Sequence, residues 1–186
     1  MQLLNHKQMV QKTHLELREE TVLHKLFNSY FMIVIMDDVV ENLSTFQDYA
    51  LSFKENKYEK WYSLYENHDF TDFCQQMLSV ANTYFDLSKC IGYEFWTHND
   101  TIPKTWHIDK DEQLKIKQGV TRFPLCSMVY YVMVDNLRGG KLHIEDEVIT
   151  PKTNRLVIFS PGKYHCVEPF IGSRTTYCIN PWDVKL

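Results

Sequence analysis

The sequence is poor in glycine and proline, with six residues of each in 186, which excludes a collagen-like or low-complexity chain. It has no Cys-x-x-Cys pair. The five cysteines, Cys74, Cys90, Cys126, Cys166 and Cys178, are odd in number and widely spaced, which argues against a disulfide framework or a thiolate zinc site and suits a reducing compartment. Long apolar runs are missing too. The longest, residues 30–36, stops at Asp37 and Asp38, far short of the roughly 20 residues that span a bilayer. The first residues, among them Asn5, Lys7, Gln8 and Lys12, are polar and lack the apolar stretch of a signal peptide. A cytoplasmic protein with no membrane partner is therefore expected. Positive charge is also in short supply: 20 Lys and Arg face 24 Asp and Glu, for a net charge of −4. The electrostatic footprint of a phosphate-backbone binder is absent, so nucleic acid is not an expected partner.

What is present is apolar and aromatic, at 44% and 14% of residues, enough to build the core of one domain over 1–186. The first half, residues 1–90, reads as a mostly helical supporting segment. Leu15, Val22, Leu23, Leu26 and Phe27 recur at helical spacing and lead into a β-rich run at 31–36. Ser44 with Gln47 three residues later has the form of a capping box, opening a helix whose apolar face holds Phe46, Tyr49, Ala50 and Phe53. Phe70, Phe73, Met77, Val80, Ala81 and Tyr84 predict another. The rings between them, Tyr58, Trp61, Tyr62 and Tyr65, read as packing.

From residue 91 the texture changes to short β-rich segments at 91–97, 106–109, 125–134, 141–144, 155–159, 165–167 and 174–179. Breaks are supplied by Asp135-Asn136, Gly139-Gly140, Glu145-Asp146, Pro151, Ser160-Pro161-Gly162 and Ile171-Gly172. Regularly spaced strands without intervening helices predict an antiparallel sandwich or jelly roll over 91–186, buttressed by the helices of the first half. The expected fold class is thus mainly β with supporting helices, α+β.

Four His-x-acid triplets occur: His14/Glu16, His98/Asp100, His107/Asp109 and His143/Glu145. On a strand, residues i and i+2 share a face and can offer an imidazole and a carboxylate to one metal. His14 and Glu16 fall in a predicted helix and His98 and Asp100 at turn chemistry, which leaves the pairs at 107 and 143. A mononuclear iron(II) centre that activates oxygen needs two His and one carboxylate on one face, with the remaining positions open. His165, 58 residues after His107, is far enough along for several strands to return the chain to the metal, whereas His143 lies too close. Arg174 follows nine residues after His165, with Thr176, Cys178 and Asn180 on its face. Its guanidinium is a natural clamp for a distal carboxylate. Lys152 has the same interval from His143 but falls in the 151–154 turn. Lys110, Lys115 and Lys117 are offset by Asp111 and Glu112 and read as a solvated face. Trp106 and Trp182 read as core rings.

Over residues 91–183 this order of motifs resembles the iron(II)- and 2-oxoglutarate-dependent dioxygenases, most closely their prolyl hydroxylase branch. The likeness rests on His107 and Asp109, a Tyr in the 129–131 run, the Gly139-Gly140 turn, His165 and Arg174. It implies a double-stranded β-helix (jelly-roll, cupin-like) core and iron(II) ligated by His107, Asp109 and His165. It also implies 2-oxoglutarate held by Arg174 and Tyr131 with Thr176 nearby, O2 as second cosubstrate, and room for ascorbate as an auxiliary reductant. Tyr130 and Tyr131 point to opposite faces, so a register change of one residue would exchange them. The implied reaction is hydroxylation of a prolyl or other amino-acid residue with release of succinate and CO2. The alternatives are hydroxylation of a free amino acid or small metabolite, and a non-catalytic metal- or metabolite-binding module on the same fold.

Overall fold

The structure, a computed structural model, describes residues 32–52, 59–98 and 103–186. Residues 33–186 form one compact unit. Its elements are β1 (Ile33–Asp37), α1 (Leu43–Ser52), β2 (Glu59–Ser63), α2 (Thr71–Ala81), β3 (Gly92–His98), β4 (Lys104–His107) and α3 (Glu112–Gln118). There follow β5 (Ser127–Gly139), β6 (Leu142–Ile144), β7 (Glu147–Ile149), β8 (Arg155–Phe159), β9 (His165–Val167) and β10 (Phe170–Trp182). The strands form two antiparallel sheets. The major sheet runs β1-β8-β5-β10-β3-β2 and the minor one β4-β9-β6-β7. This is the double-stranded β-helix.

Each face of the major sheet buries a different chemistry, because alternate side chains of β5, β8 and β10 point opposite ways. On the inner face Tyr131, Val157 and Phe159 pack with Leu142, Ile144 and Ile149 of the minor sheet. On the outer face Tyr130 and Tyr177 meet the helices: Phe73 of α2 lies 5.1 Å from Tyr130 and 5.7 Å from Tyr177, and Phe46 of α1 stacks on Phe73 at 4.8 Å. Edge-to-face and offset rings of this kind contribute about 0.5–1.5 kcal/mol per pair beyond the area they bury.

The first half departs from the expected helical reading in one place. The ring-rich stretch before α2 supplies a strand, β2, pairing Trp61 with Glu94 and Tyr62 with Tyr93 of β3. Tyr62 is buried and stacks on His68 at 3.8 Å, whereas Tyr65 is fully in solvent. The expected helix before residue 31, together with Phe53 and Tyr58, lies outside the described residues. The capping box does not form. Gln47 instead donates through Nε2 to the Val132 carbonyl at 2.7 Å. The β5–β10 register skips Val132 between Thr175↔Met133 and Thr176↔Tyr131, so this carbonyl sits at a bulge and takes a side-chain donor.

Three further expectations shift. Residues 135–136 and 171–172 do not end strands but bulge them: Asn136 and Gly172 have φ of 48° and 102°, and a Cβ at residue 172 would meet the Asn136 carbonyl oxygen at 2.4 Å. Only glycine fits there. The strand expected at 106–109 is found two residues earlier, because Asp111 caps α3 by accepting from Leu114 N at 2.8 Å and draws the chain out of the sheet. Trp106, expected in the core, is 53% exposed, since it faces away from the inner layer on the short strand β4.

Asp37 ties the edge strand β1 to β8, with Oδ1 accepting from Arg155 Nε at 2.7 Å and Oδ2 from Lys152 Nζ at 2.9 Å. These cationic partners, Arg155 foremost, hold its carboxyl well below the usual carboxylate range. A group whose folded pKa is depressed contributes stability fully above its unfolded pKa, about 3.9 for Asp, and loses it as pH falls from there. Melting temperature should therefore drop below about pH 4 in the wild type. It should drop less steeply in Asp37→Asn, which has already lost the contribution at neutral pH. Parallel melting-versus-pH curves for the two proteins would refute this.

Candidate metal and cosubstrate site

His107 and His165 are brought side by side because β4 and β9 pair antiparallel with these two residues in register, and their ring centroids are 4.1 Å apart. Asp109, just past the end of β4, turns its Oδ1 to within 3.9 Å of His107 Nε2 and 3.7 Å of His165 Nε2. One ligand atom from each of the three lies within 4.8 Å of the others, a spacing that a single ion can bridge.

The surroundings fix which atoms are offered. His107 Nδ1 contacts the Thr105 carbonyl at 2.7 Å and His165 Nδ1 the Lys163 carbonyl at 3.0 Å. A carbonyl accepts only, so each Nδ1–H donates to it, which leaves Nε2 as the ring atom directed at Asp109 and offered to an ion. Burial pushes the His165 pKa down, favouring the neutral ring that ligation requires. Asp109 Oδ2 accepts from Ser127 Oγ at 2.6 Å, which leaves Oδ1 for the ion. Ser127 opens β5, on the same face as Tyr131, and sequence reasoning did not single it out. The signal was the even spacing back from Tyr131. Its bond predicts that Ser127→Ala stays folded and loses about 10–100-fold in metal affinity, the usual range for an outer partner, while Ser127→Thr retains it. Manganese titration of the three proteins checks this, and unchanged affinity in Ser127→Ala would contradict it.

The rival pair goes elsewhere. His143 lies on β6, and its Nε2 meets Glu168 Oε1 at 2.6 Å. His14, Glu16 and Asp100 lie outside the described residues. Lys152 is in the turn before β8, with its ammonium on Asp37.

Beyond the triad the major sheet lines a narrow cavity of about 50 Å³, reached by Tyr131, Arg174, Thr176, Cys178 and Asn180 as well as all three triad residues. Tyr131 faces inward, while Tyr130 faces the helices and donates to Asn154 Oδ1 at 2.8 Å. The Tyr131 hydroxyl and Arg174 Nε are buried without a partner. Arg174 has one long contact, Nη1 to the Gly140 carbonyl at 3.4 Å, and lies 4.8 Å from the Phe170 ring centroid. Gly139 and Gly140 turn the corner here: both have positive φ, and a Cβ on the first would meet the Pro169 carbonyl oxygen at 2.4 Å. Burial pushes the Tyr131 phenol upward, so it remains an O–H donor. Cys178 is likewise pushed up, to about 12, and stays a thiol. A buried guanidinium and a buried phenol with no carboxylate among the described residues to accept from them are costly unless an anion completes the set.

An open cleft of about 430 Å³ adjoins this cavity, lined by His107 and Asp109 together with Trp61, Glu94, Trp96 and Asn180. No helix among the described residues is long and apolar enough to cross a membrane.

Residues 89–183, just over half of the chain, match the family model described as the 2OG-Fe(II) oxygenase superfamily. No curated protein matches the sequence significantly. Among solved structures, a viral collagen prolyl hydroxylase from Paramecium Bursaria Chlorella virus-1, in complex with 2OG, is similar at a TM-score of 0.54 and 13% identity, covering 82% of this chain and 96% of that one. A Pseudomonas putida prolyl-4-hydroxylase gives 0.58 and 14%, over 82% and 93%. A Trichoplax adhaerens prolyl hydroxylase, in complex with a peptide fragment of the hypoxia inducible factor oxygen degradation domain, gives 0.55 and 15%, over 97% and 94%.

Proposed function

This chain belongs to the 2OG-Fe(II) oxygenase superfamily, and from that membership we propose that it hydroxylates an amino-acid residue, prolyl or another, carried on a peptide. It is a dioxygenase whose cofactor is iron(II) and whose cosubstrates are 2-oxoglutarate and O2. The observation that carries the site assignment is the buried donor pair, Tyr131 Oη and Arg174 Nε, without an acceptor among the described residues, in the cavity that the triad also lines.

The residues fit the absent groups. Two imidazoles with Nε2 free and one carboxylate oxygen are the donor set for a divalent iron that keeps positions open. The guanidinium and phenol at the far end of the cavity suit the distal carboxylate of a keto diacid, with Thr176 beside them. When bound, iron and 2-oxoglutarate supply the oxidising chemistry, in which one oxygen atom of O2 goes into succinate, CO2 leaves and the other oxygen is inserted into a substrate C–H bond.

The protein's own contribution is placement. Arg174 holds the keto diacid by a charge-assisted pair in a narrow cavity, and Tyr131 adds an O–H donor to it. Ser127 restrains Asp109, and the Thr105 and Lys163 carbonyls hold the rings of His107 and His165. The cleft beside His107 and Asp109 gives the substrate an approach. That approach is open enough for a residue on a chain, and a structurally similar prolyl hydroxylase is seen in complex with a peptide.

Peptides and free amino acids should be screened with iron-loaded protein, 2-oxoglutarate and O2, reading the product mass and succinate together. The reading expects a peptide that gains one oxygen atom with equimolar succinate. Oxygen gain by a free amino acid alone would overturn the peptidyl assignment.

A further inference from the structure

Asn180 is 1% exposed, yet its Oδ1 is buried without a hydrogen-bond partner among the described residues. A satisfied core would not leave it so, since buried carboxamides almost always find partners. It lines both the narrow cavity and the open cleft.

Its position separates it from the cosubstrate. On β10 it lies six residues beyond Arg174, about 20 Å of extended chain. A short keto diacid that starts at Arg174 and ends on the metal is used up before that point. Across the sheet Asn180 pairs with Glu94, and Glu94 with Trp61. These three side chains therefore form one row on the same face, with neighbouring strands about 4.8 Å apart. The row opens on the cleft beside His107 and Asp109, and at its far end Trp61 Nε1 is again a buried donor without a partner.

We propose that Asn180 is the substrate-binding residue that selects a secondary amide, its Oδ1 accepting from the substrate N–H and its Nδ2 donating to a substrate carbonyl. The inference rests on the dioxygenase reading above and narrows it: the substrate is amide-linked, so a peptide is favoured over a free amino acid. Trp61 Nε1 stands in the same row as a second donor for the chain's carbonyls. Among the described residues no group donates to Asn180 Oδ1, and a secondary amide supplies that donor while its carbonyl can accept from Nδ2.

The test uses the zinc-loaded, 2-oxoglutarate-bound protein, which is diamagnetic and does not turn over, with N-methylacetamide as the probe and methyl acetate, which lacks the N–H, as its counterpart. Saturable shifts of the Asn180 side-chain NH2 and Trp61 indole N–H resonances are expected with N-methylacetamide, with methyl acetate at least about tenfold weaker. Asn180→Leu should bind the amide at least about tenfold more weakly while keeping the melting shift given by 2-oxoglutarate. It should also melt higher than wild type without ligand, because an apolar isostere removes an unsatisfied group. Equal binding of amide and ester, equal binding by Asn180→Leu, or no shift at either resonance would overturn the proposal. A lower melting temperature for Asn180→Leu would mean that the carboxamide has a structural partner, and would overturn it too. Failure of the dioxygenase reading would appear separately, as loss of the 2-oxoglutarate melting shift in the wild type.

Discussion

Asp109→Ala and His165→Ala are each expected to remain folded and to lose more than about 100-fold in iron or manganese affinity, and with it all 2-oxoglutarate turnover. Each removes one of the three proposed protein ligands, so the loss should exceed the roughly 10–100-fold that follows from losing an outer partner. His165 stands on β9 in register with His107, Asp109 Oδ1 lies near both rings, and among the described residues these three form the only cluster of His, Cys, Asp or Glu placed to hold an ion. His143→Ala is the control, because its ring is occupied by Glu168, and it should bind metal as the wild type does. Metal content after dialysis and direct titration would read the effect. Wild-type affinity in either ligand variant would remove the triad as the metal centre.

Arg174→Ala should separate cosubstrate from metal. It is expected to bind manganese almost normally and to lose 2-oxoglutarate affinity by about 2–5 kcal/mol, roughly 30-fold or more, the usual cost of truncating one side of a desolvated charge pair. Ligand at about 100 times its dissociation constant should stabilise the metal-loaded wild type by about 2.7 kcal/mol. Arg174→Ala should show little of that shift under anaerobic manganese. Lys152→Ala should keep it, because Lys152 points to Asp37 in the turn before β8. An equal shift in wild type and Arg174→Ala would place the carboxylate clamp elsewhere.

Which residues converge at the site could be read from the sequence to the extent that strand periodicity and chain return fix position. The interval between His107 and His165 is what several strands need to come back, and β4 and β9 close on it in register. Alternation decides that Tyr131 and Arg174 share the inner face, but the choice between Tyr130 and Tyr131 depends on where β5 starts, which only the paired strands fix. Ser127 was not singled out because its role depends on Asp109, 18 residues earlier, turning out of its strand. The capping box at Ser44 and Gln47 is a local signal overridden by a distant one: the bulge at Val132 leaves a carbonyl that Gln47 satisfies. Trp106 was read as core from its type alone, whereas the short edge strand that carries it leaves one face uncovered. β2 was hidden for a related reason, since rings at mixed spacing show no period until β3 supplies their partners.

Succinate formation by the iron-loaded chain tests the central claim most directly. Given 2-oxoglutarate and O2 without any further substrate, the wild type is expected to release succinate slowly, uncoupled from substrate hydroxylation. Asp109→Ala and Arg174→Ala should release none above the level of free iron. Succinate formation at the wild-type rate by both variants, or none by the wild type with any candidate substrate, would contradict the account.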